Sequence, residues 1–361
     1  MLAVTLRVRY GGGEPYPDLS TDPLVDETAL EEVFAYPEPI GNVAVSQEGR
    51  VFFTVHPESR PRGNKLLEIV AGAAVPYPSG ASQQTLFNTV LGLVIDRRNI
   101  LWTIDHGNHG FNEARLLAFD LDTGEVAHDH RFIKDVAPAG SLLQDLQVSP
   151  DGQTIIIADA SIWRKVPALV VYDIQRQEAR RVLESHDSVS PEDYLVRNQL
   201  KDMTFLGGLV SLKGGVDGIA IDTKGEWLYF AAINQSGLYR IRLEDLINTG
   251  LPPQQLDNRV ERFSDKPLSD GLSTDVAGNV YITDVEHSSV FIVGSEKLPQ
   301  TLVRSDRIRW ADALSFGPDG WLYLADSAIP DQILQTKDHI MAKGPYHIFR
   351  FQPGFEGVPG Q

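Results

Sequence analysis

A short motif repeated six times constrains this chain more than any other feature. Each copy is an apolar strand of four or five residues, a turn that usually carries Asp-Gly or a similar pair, and a second strand rich in aromatic and β-branched residues. The copies run Gly41-Asn42-Val43-Ala44-Val45 to Val51-Phe52-Phe53; Leu91-Gly92-Leu93-Val94-Ile95 to Ile100-Leu101-Trp102; Gln144-Asp145-Leu146-Gln147-Val148 to Ile155-Ile156-Ile157; Asp217-Gly218-Ile219-Ala220-Ile221 to Leu228-Tyr229-Phe230; Asp270-Gly271-Leu272-Ser273 to Val280-Tyr281-Ile282; and Asp312-Ala313-Leu314-Ser315-Phe316 to Trp321-Leu322-Tyr323. Their turns, at Gly49, Asn99, Gly152, Gly225, Gly278 and Gly320, are separated by 50, 53, 73, 53 and 42 residues. That is the spacing of a four-stranded unit plus its loops, and no helical period fits the strands. The expected fold class is all-β, a six-bladed β-propeller.

Further strands such as Arg115-Leu116-Leu117-Ala118-Phe119-Asp120 and Ala168-Leu169-Val170-Val171-Tyr172-Asp173 supply the third strand of each unit. The stretch from Leu30 to Ala35 is expected to pair with Tyr346-His347-Ile348-Phe349-Arg350-Phe351 and close the ring. Residues 30–353 thus read as one propeller domain, 1–29 as an arm or linker and 354–361 as a tail. Residues 1–10 are short, apolar and closed by basic side chains, which suits either a first strand or the remnant of a trimmed signal or anchor. Helix is expected only in connections, at 192–200, 243–248 and 333–342. The widest interval holds an insertion, 186–214, expected to act as a lid over one channel mouth.

Charge and composition narrow the partners. Thirty-two basic against 49 acidic side chains give a net charge of −17, with no Lys/Arg-rich run, so neither nucleic acid nor an anionic membrane surface is an expected partner. No stretch approaches the apolar length of an integral membrane segment. The absence of cysteine excludes disulfides, thiolate nucleophiles and zinc-thiolate sites. A periplasmic or secreted location is slightly favoured over the cytoplasm. The expected partner is a small-molecule ligand or substrate.

Alignment of the units on their turns puts Gly41, Leu91, Gln144, Asp217, Asp270 and Asp312 at the start of the innermost strands. In a propeller these positions converge on one end of the axial channel. Three carboxyls and an amide so placed repel one another unless a hard cation joins them, so Gln144, Asp217, Asp270 and Asp312 are the expected ligands of a calcium ion. The same acids also suit a plainer role as local turn caps. A second set, His56, Asp105-His106, Asp159, Asp284 and Asp326, closes the second strands. Asp159, Asp284 and Asp326 read as loop caps. His56, His106, His109 and His287 attract attention because imidazole works as a base at neutral pH. His106, His56 and Asp270 are the expected catalytic groups, and Asn42, Gln144, Asp145 and His287 the expected substrate-binding ones. No Gly-x-Ser-x-Gly elbow and no phosphate-binding glycine loop is present.

The order of several segments resembles the Yellow/major royal jelly protein family: Arg50-Val51-Phe52-Phe53-Thr54-Val55-His56 followed by Gly63-Asn64-Lys65-Leu66, then Leu101-Trp102-Thr103-Ile104-Asp105-His106-Gly107, Leu116-Leu117-Ala118-Phe119-Asp120-Leu121 and Gly218-Ile219-Ala220 before Leu228-Tyr229-Phe230. The resemblance implies a six-bladed propeller that holds small molecules, such as aromatic amines, at the channel mouth, with dopachrome-type tautomerisation in some members. A looser likeness to sugar lactonases of the gluconolactonase type implies metal ligands at Gln144 and Asp217. Their first-blade Glu ligand falls at Gly41, which has no side chain. The reading that follows is a calcium-assisted hydrolase of a small lactone or ester, with a metal-free Yellow-type binder or tautomerase as its alternative.

Overall fold

The structure is a computed structural model that describes residues 2–361; Met1 lies outside the described residues. Six four-stranded antiparallel sheets form a ring. Their innermost strands are Ile40–Val45, Val90–Ile95, Leu143–Val148, Val216–Ile221, Leu272–Thr274 and Ala311–Phe316. These run almost wholly buried, because they line the axis and meet a neighbouring blade on each face. The outermost strand Val126–Arg131 alternates between exposed and half-buried, as a strand with one wet side should. Six apolar clusters fill the spaces between successive blades, from Trp102, Ile104 and Tyr172 between the second and third to Phe316, Leu322 and Phe349 between the fifth and sixth. The ring closes as expected: Glu31–Tyr36 pairs antiparallel with Tyr346–Phe351 and becomes the outer strand of the sixth blade.

At the start of the innermost strands, register shifts recur at one place in five blades. Such bulges re-aim side chains toward the axis. The backbones come so close there that a Cβ on Gly92 would lie 2.2 Å from the Gln144 carbonyl oxygen, and one on Gly218 2.2 Å from that of Asp270. The Asp-Gly pairs of the fourth and fifth blades therefore mark tight inter-blade contacts, not turns.

Three local expectations are corrected. Residues 2–10 do not form a strand: Leu2–Tyr10 is a helix, α1. The helix satisfies its backbone internally and packs beside the short strand Val210–Ser211, and Arg7 and Tyr10 tie it to the carbonyls of Gly208 and Trp163. Residues 192–200 are not helical. Tyr194–Leu195 pairs in parallel with Glu14–Pro15, and the Asn198 amide donates to the carbonyls of Val285 and Arg309, so external partners replace helical ones. Of 333–342 only Lys337–Ala342 is helical, capped by Thr336, whereas the connection helix Leu243–Ile247 forms as expected. Residues 354–361 pack firmly: Gly357 bridges Asp275, Ile95 N–H donates to the Gly360 carbonyl at 3.0 Å and Phe316 N–H to that of Gln361 at 2.8 Å, sealing the end of the channel opposite the site described next. No helix of the described residues is long and apolar enough to cross a membrane.

Candidate functional site

A cavity of about 350 Å³ occupies the channel mouth at the start of the innermost strands, a volume suited to a small organic molecule. Its roof is apolar. Leu6 and Tyr10 come from α1, and Phe205, Leu206, Val210 and Leu212 from the insertion, whose strands Thr204–Phe205 and Val210–Ser211 form a small hairpin. The expected lid is thus a wall of the cavity, and α1 is a second piece of it. The floor is polar: His56, Glu58, His106, His109, Gln144 and Asp270.

The axial acids do converge. Gln144 Nε2 donates to Asp217 Oδ2 at 2.7 Å, Trp310 Nε1 to Asp270 Oδ2 at 2.6 Å, and Asp217 hydrogen-bonds Asp270. Burial, reinforced by the charges of Asp270 and Asp312, raises Asp217 well above the carboxylate range; burial and Asp270 do the same to Asp312. Burial also pushes Asp270 and Asp145 up to about 7. Near neutral pH this cluster therefore stores protons and offers carboxylic O–H donors.

The cluster does not fit a resident calcium ion as it stands. Gln144 turns its amide N–H, not its oxygen, to Asp217, the Trp310 indole occupies an oxygen of Asp270, and Gly41 brings no donor. Among the described residues no three His, Asp or Glu side chains are grouped to hold a metal. Of the four side chains Gln144, Asp217, Asp270 and Asp312, it is Asp312 whose Oδ2 is buried without a hydrogen-bond partner, with His56 Nε2 3.6 Å away.

The histidines divide by what holds them. His56 Nδ1 accepts the Glu58 N–H at 3.2 Å and His106 Nδ1 the His109 N–H at 2.9 Å. A ring nitrogen that accepts carries no proton, so in both neutral rings the proton sits on Nε2. Burial holds His56 down to about 4, and burial with the neighbouring His109 holds His106 down to about 3. Both expected bases are thus neutral donors. His109 is the reverse. Its Nε2 meets Glu58 Oε1 at 2.8 Å, which leaves Nδ1 as the free acceptor, buried without a partner. Burial would raise Glu58, but the His109 hydrogen bond and the surrounding imidazoles outweigh it and bring the carboxyl to about 2. The His106 and His109 rings lie 5.0 Å apart. The loop that presents His109 runs through four successive left-handed residues, Gly107, Asn108, His109 and Gly110, at φ 59°, 51°, 55° and 68°. For the two with a β-carbon that conformation costs about 1–2 kcal/mol each.

Other expected site residues lie elsewhere. Asn42 and Asp145 line a small polar space further along the channel beside Gly360 and Gln361. His287 is outside the cavity wall, with Nδ1 on Asp284 at 3.0 Å. Sequence reasoning did not single out Glu58, Trp310 or Lys165. One signal was available: His56 and His106 are 50 residues apart, the same interval as the turns of their blades, so Glu58 and His109 follow equivalent points of adjacent blades.

Solved structures with this architecture include a luciferin-regenerating enzyme (TM-score 0.56, 10% identity, 92% of this chain and 97% of that one). A gluconolactonase from Xanthomonas campestris aligns with TM-score 0.55 at 12% identity over 89% of each chain. The calcium-binding regucalcin from Agrobacterium tumefaciens aligns with TM-score 0.54 at 14% identity over 91% of this chain and 96% of that one. At such identities the likeness is one of fold. No curated protein matches the sequence. The family model for major royal jelly protein matches residues 88–306, more than half of the chain, and the chain belongs to that family.

Proposed function

We propose that the chain is an acid–base hydrolase of a small, largely apolar lactone or ester bound in the mouth cavity. The observation that carries this reading is the Glu58–His109 pair, which leaves a ring nitrogen without a partner beside the Nε2–H donors of His56 and His106. His109 Nδ1 takes a proton from water as the water oxygen bonds to the carbonyl carbon. The Nε2–H groups of His56 and His106 and the carboxyl of Asp270 donate to the oxygen that gains charge. Collapse breaks the carbon–oxygen bond to the leaving group, and the His109 imidazolium returns the proton to the departing alkoxide. Glu58 is a positioning residue that fixes the tautomer, as carboxylate partners of catalytic histidines do. The apolar roof excludes bulk water, and the strained loop under His109 is the kind of outlier that marks a working group.

His109→Asn keeps a residue that tolerates the left-handed backbone and removes the base; turnover of apolar lactones and aryl esters is expected to fall about a hundredfold or more with little change in KM. Glu58→Gln is expected to lower kcat and shift the pH–rate profile. Wild-type rates in His109→Asn would overturn the mechanism. A ligand bound but never turned over across the panel would instead support a Yellow-type binder.

A calcium-assisted hydrolase is the second reading, favoured by the unpartnered Asp312 Oδ2 and in keeping with the calcium-binding regucalcin of like fold. Calcium titrated into chelator-treated protein separates the two. A rise in melting temperature that vanishes in Asp217→Asn supports calcium; an unchanged melting temperature supports the metal-free site.

A further inference from the structure

Lys165 is the cation on the cavity wall that no acid answers. Its ammonium donates to the Lys213 carbonyl at 2.9 Å and lies 5.5 Å from the Tyr10 ring centre, yet it enters no ion pair among the described residues. An ammonium has three donors, so part of its capacity is unused. The charges nearest it are cationic: burial, Lys213 and Arg9 together push Lys165 down to about 8. Lys213 already has Asp193. Arg7 and Arg9 of α1 add positive charge at the same entrance, on a protein whose net charge is −17. The backbone of Lys165 is left-handed at φ 62°, a conformation that favours glycine or asparagine, so local preference does not explain a lysine here.

We propose that the cavity takes an apolar small molecule bearing one anionic group, a carboxylate or sulfonate, which Lys165 holds at the mouth while the apolar body reaches the donor floor. This rests on the reading of the cavity as a ligand site and adds the charge of the ligand to it. An anion supplies the missing acceptor and offsets the mutual repulsion of Lys165, Lys213 and Arg9, whereas an ammonium ligand would add to that repulsion at the entrance. The acid-rich floor and the basic mouth thus select opposite ends of one molecule.

Two fluorescent probes with the same ring frame test this: 1-anilinonaphthalene-8-sulfonate and the uncharged N-phenyl-1-naphthylamine, titrated into the full chain with quenching of tryptophan emission as a second signal. Lys165→Met is expected to weaken the sulfonate about tenfold, the loss of one charge-assisted hydrogen bond, and to change the uncharged probe less than about twofold by the same reasoning. Lys165→Arg is expected to restore sulfonate binding. Equal weakening of both probes, or none, overturns the role of Lys165 and leaves the cavity reading intact. Failure of both probes to bind the wild type overturns the cavity reading itself.

Discussion

Two sets of aspartates stand at the same end of the propeller and differ in what surrounds them. Asp105, Asp159, Asp284 and Asp326 end the second strands, and each is saturated. Asp159 accepts from Leu142 N–H, Ser161 N–H and Arg181; Asp326 accepts from Arg309 N–H, Trp310 N–H and the Arg309 guanidinium. Asp217, Asp270 and Asp312 begin the innermost strands nearby, and they have one another, one amide, one indole and the Ser327 hydroxyl. The same side chain is a structural clamp where backbone N–H groups and a side-chain donor reach it, and a stored proton where its main neighbours are other acids. The proposed function draws on the second set, where an oxygen of Asp312 is left without a partner.

The largest effect expected from this contrast is on the saturated set. Asp159→Ala leaves the Leu142 and Ser161 N–H groups without an acceptor and takes from the nearly buried Arg181 its buried carboxylate, leaving it Glu184 and the carbonyls of Val136 and Val166. Losing one partner of a buried pair costs about 3–5 kcal/mol, which chemical denaturation should register as a lower midpoint at unchanged slope. A cost under about 1 kcal/mol, the range of an exposed pair, would break the distinction between the two sets. Asp217→Asn is expected to act in the opposite direction. Asparagine accepts from Gln144 and donates to Asp270 as the neutral acid does, yet it has no charge to suppress. Stability at pH 8 should rise by about 2 kcal/mol, with little change at pH 4 where the native acid is protonated in any case. Destabilisation at pH 8 would mean that the Asp217 carboxylate is ionised and held by something it attracts.

The contrast also shows how far the sequence carries. The blades were legible because innermost strands such as Val90–Ile95 must be apolar on both faces, and aligning their turns placed Asp217, Asp270 and Asp312 at one end of the axis. The roles of the histidines were not legible. They depend on which loop N–H reaches each Nδ1, from Glu58 to His56 and from His109 to His106, and hydropathy says nothing of that. The helix of residues 2–10 was hidden by its mix of β-branched, apolar and basic residues, which suits a strand as well as a helix. Lys165 and Trp310 belong to loops outside the repeat, where alignment gives no position to compare.

The smallest expected effect comes from the pH dependence, where the two kinds of buried group oppose each other. Asp145 and Asp270 keep their protons to about 7 in the folded chain, and Asp217 and Asp312 keep theirs well above the usual range. Glu286 is raised to about 7 as well, chiefly by burial. Unfolded, all of these ionise near pH 4, so between about 4 and 7 the folded state binds more protons and stability falls as pH rises. His56 and His106 pull the other way: neutral in the fold down to about 4 and 3, they take up protons below about 6.5 only when the chain unfolds, and this makes stability rise with pH over much of the same window. His128, His130 and His347 are lowered by burial too, and Asp159 and Asp326 raised by it; the raised acids still outnumber the lowered histidines, so a net fall in stability is expected from pH 5 to 7, visible as a declining melting temperature at fixed ionic strength. Asp217→Asn should make that decline shallower, and His106→Gln, which removes an opposing group, should make it steeper. A melting temperature that climbs from pH 5 to 7 in the wild type would mean that the axial acids are ionised in the fold, and would leave the floor of the cavity without its carboxylic donors.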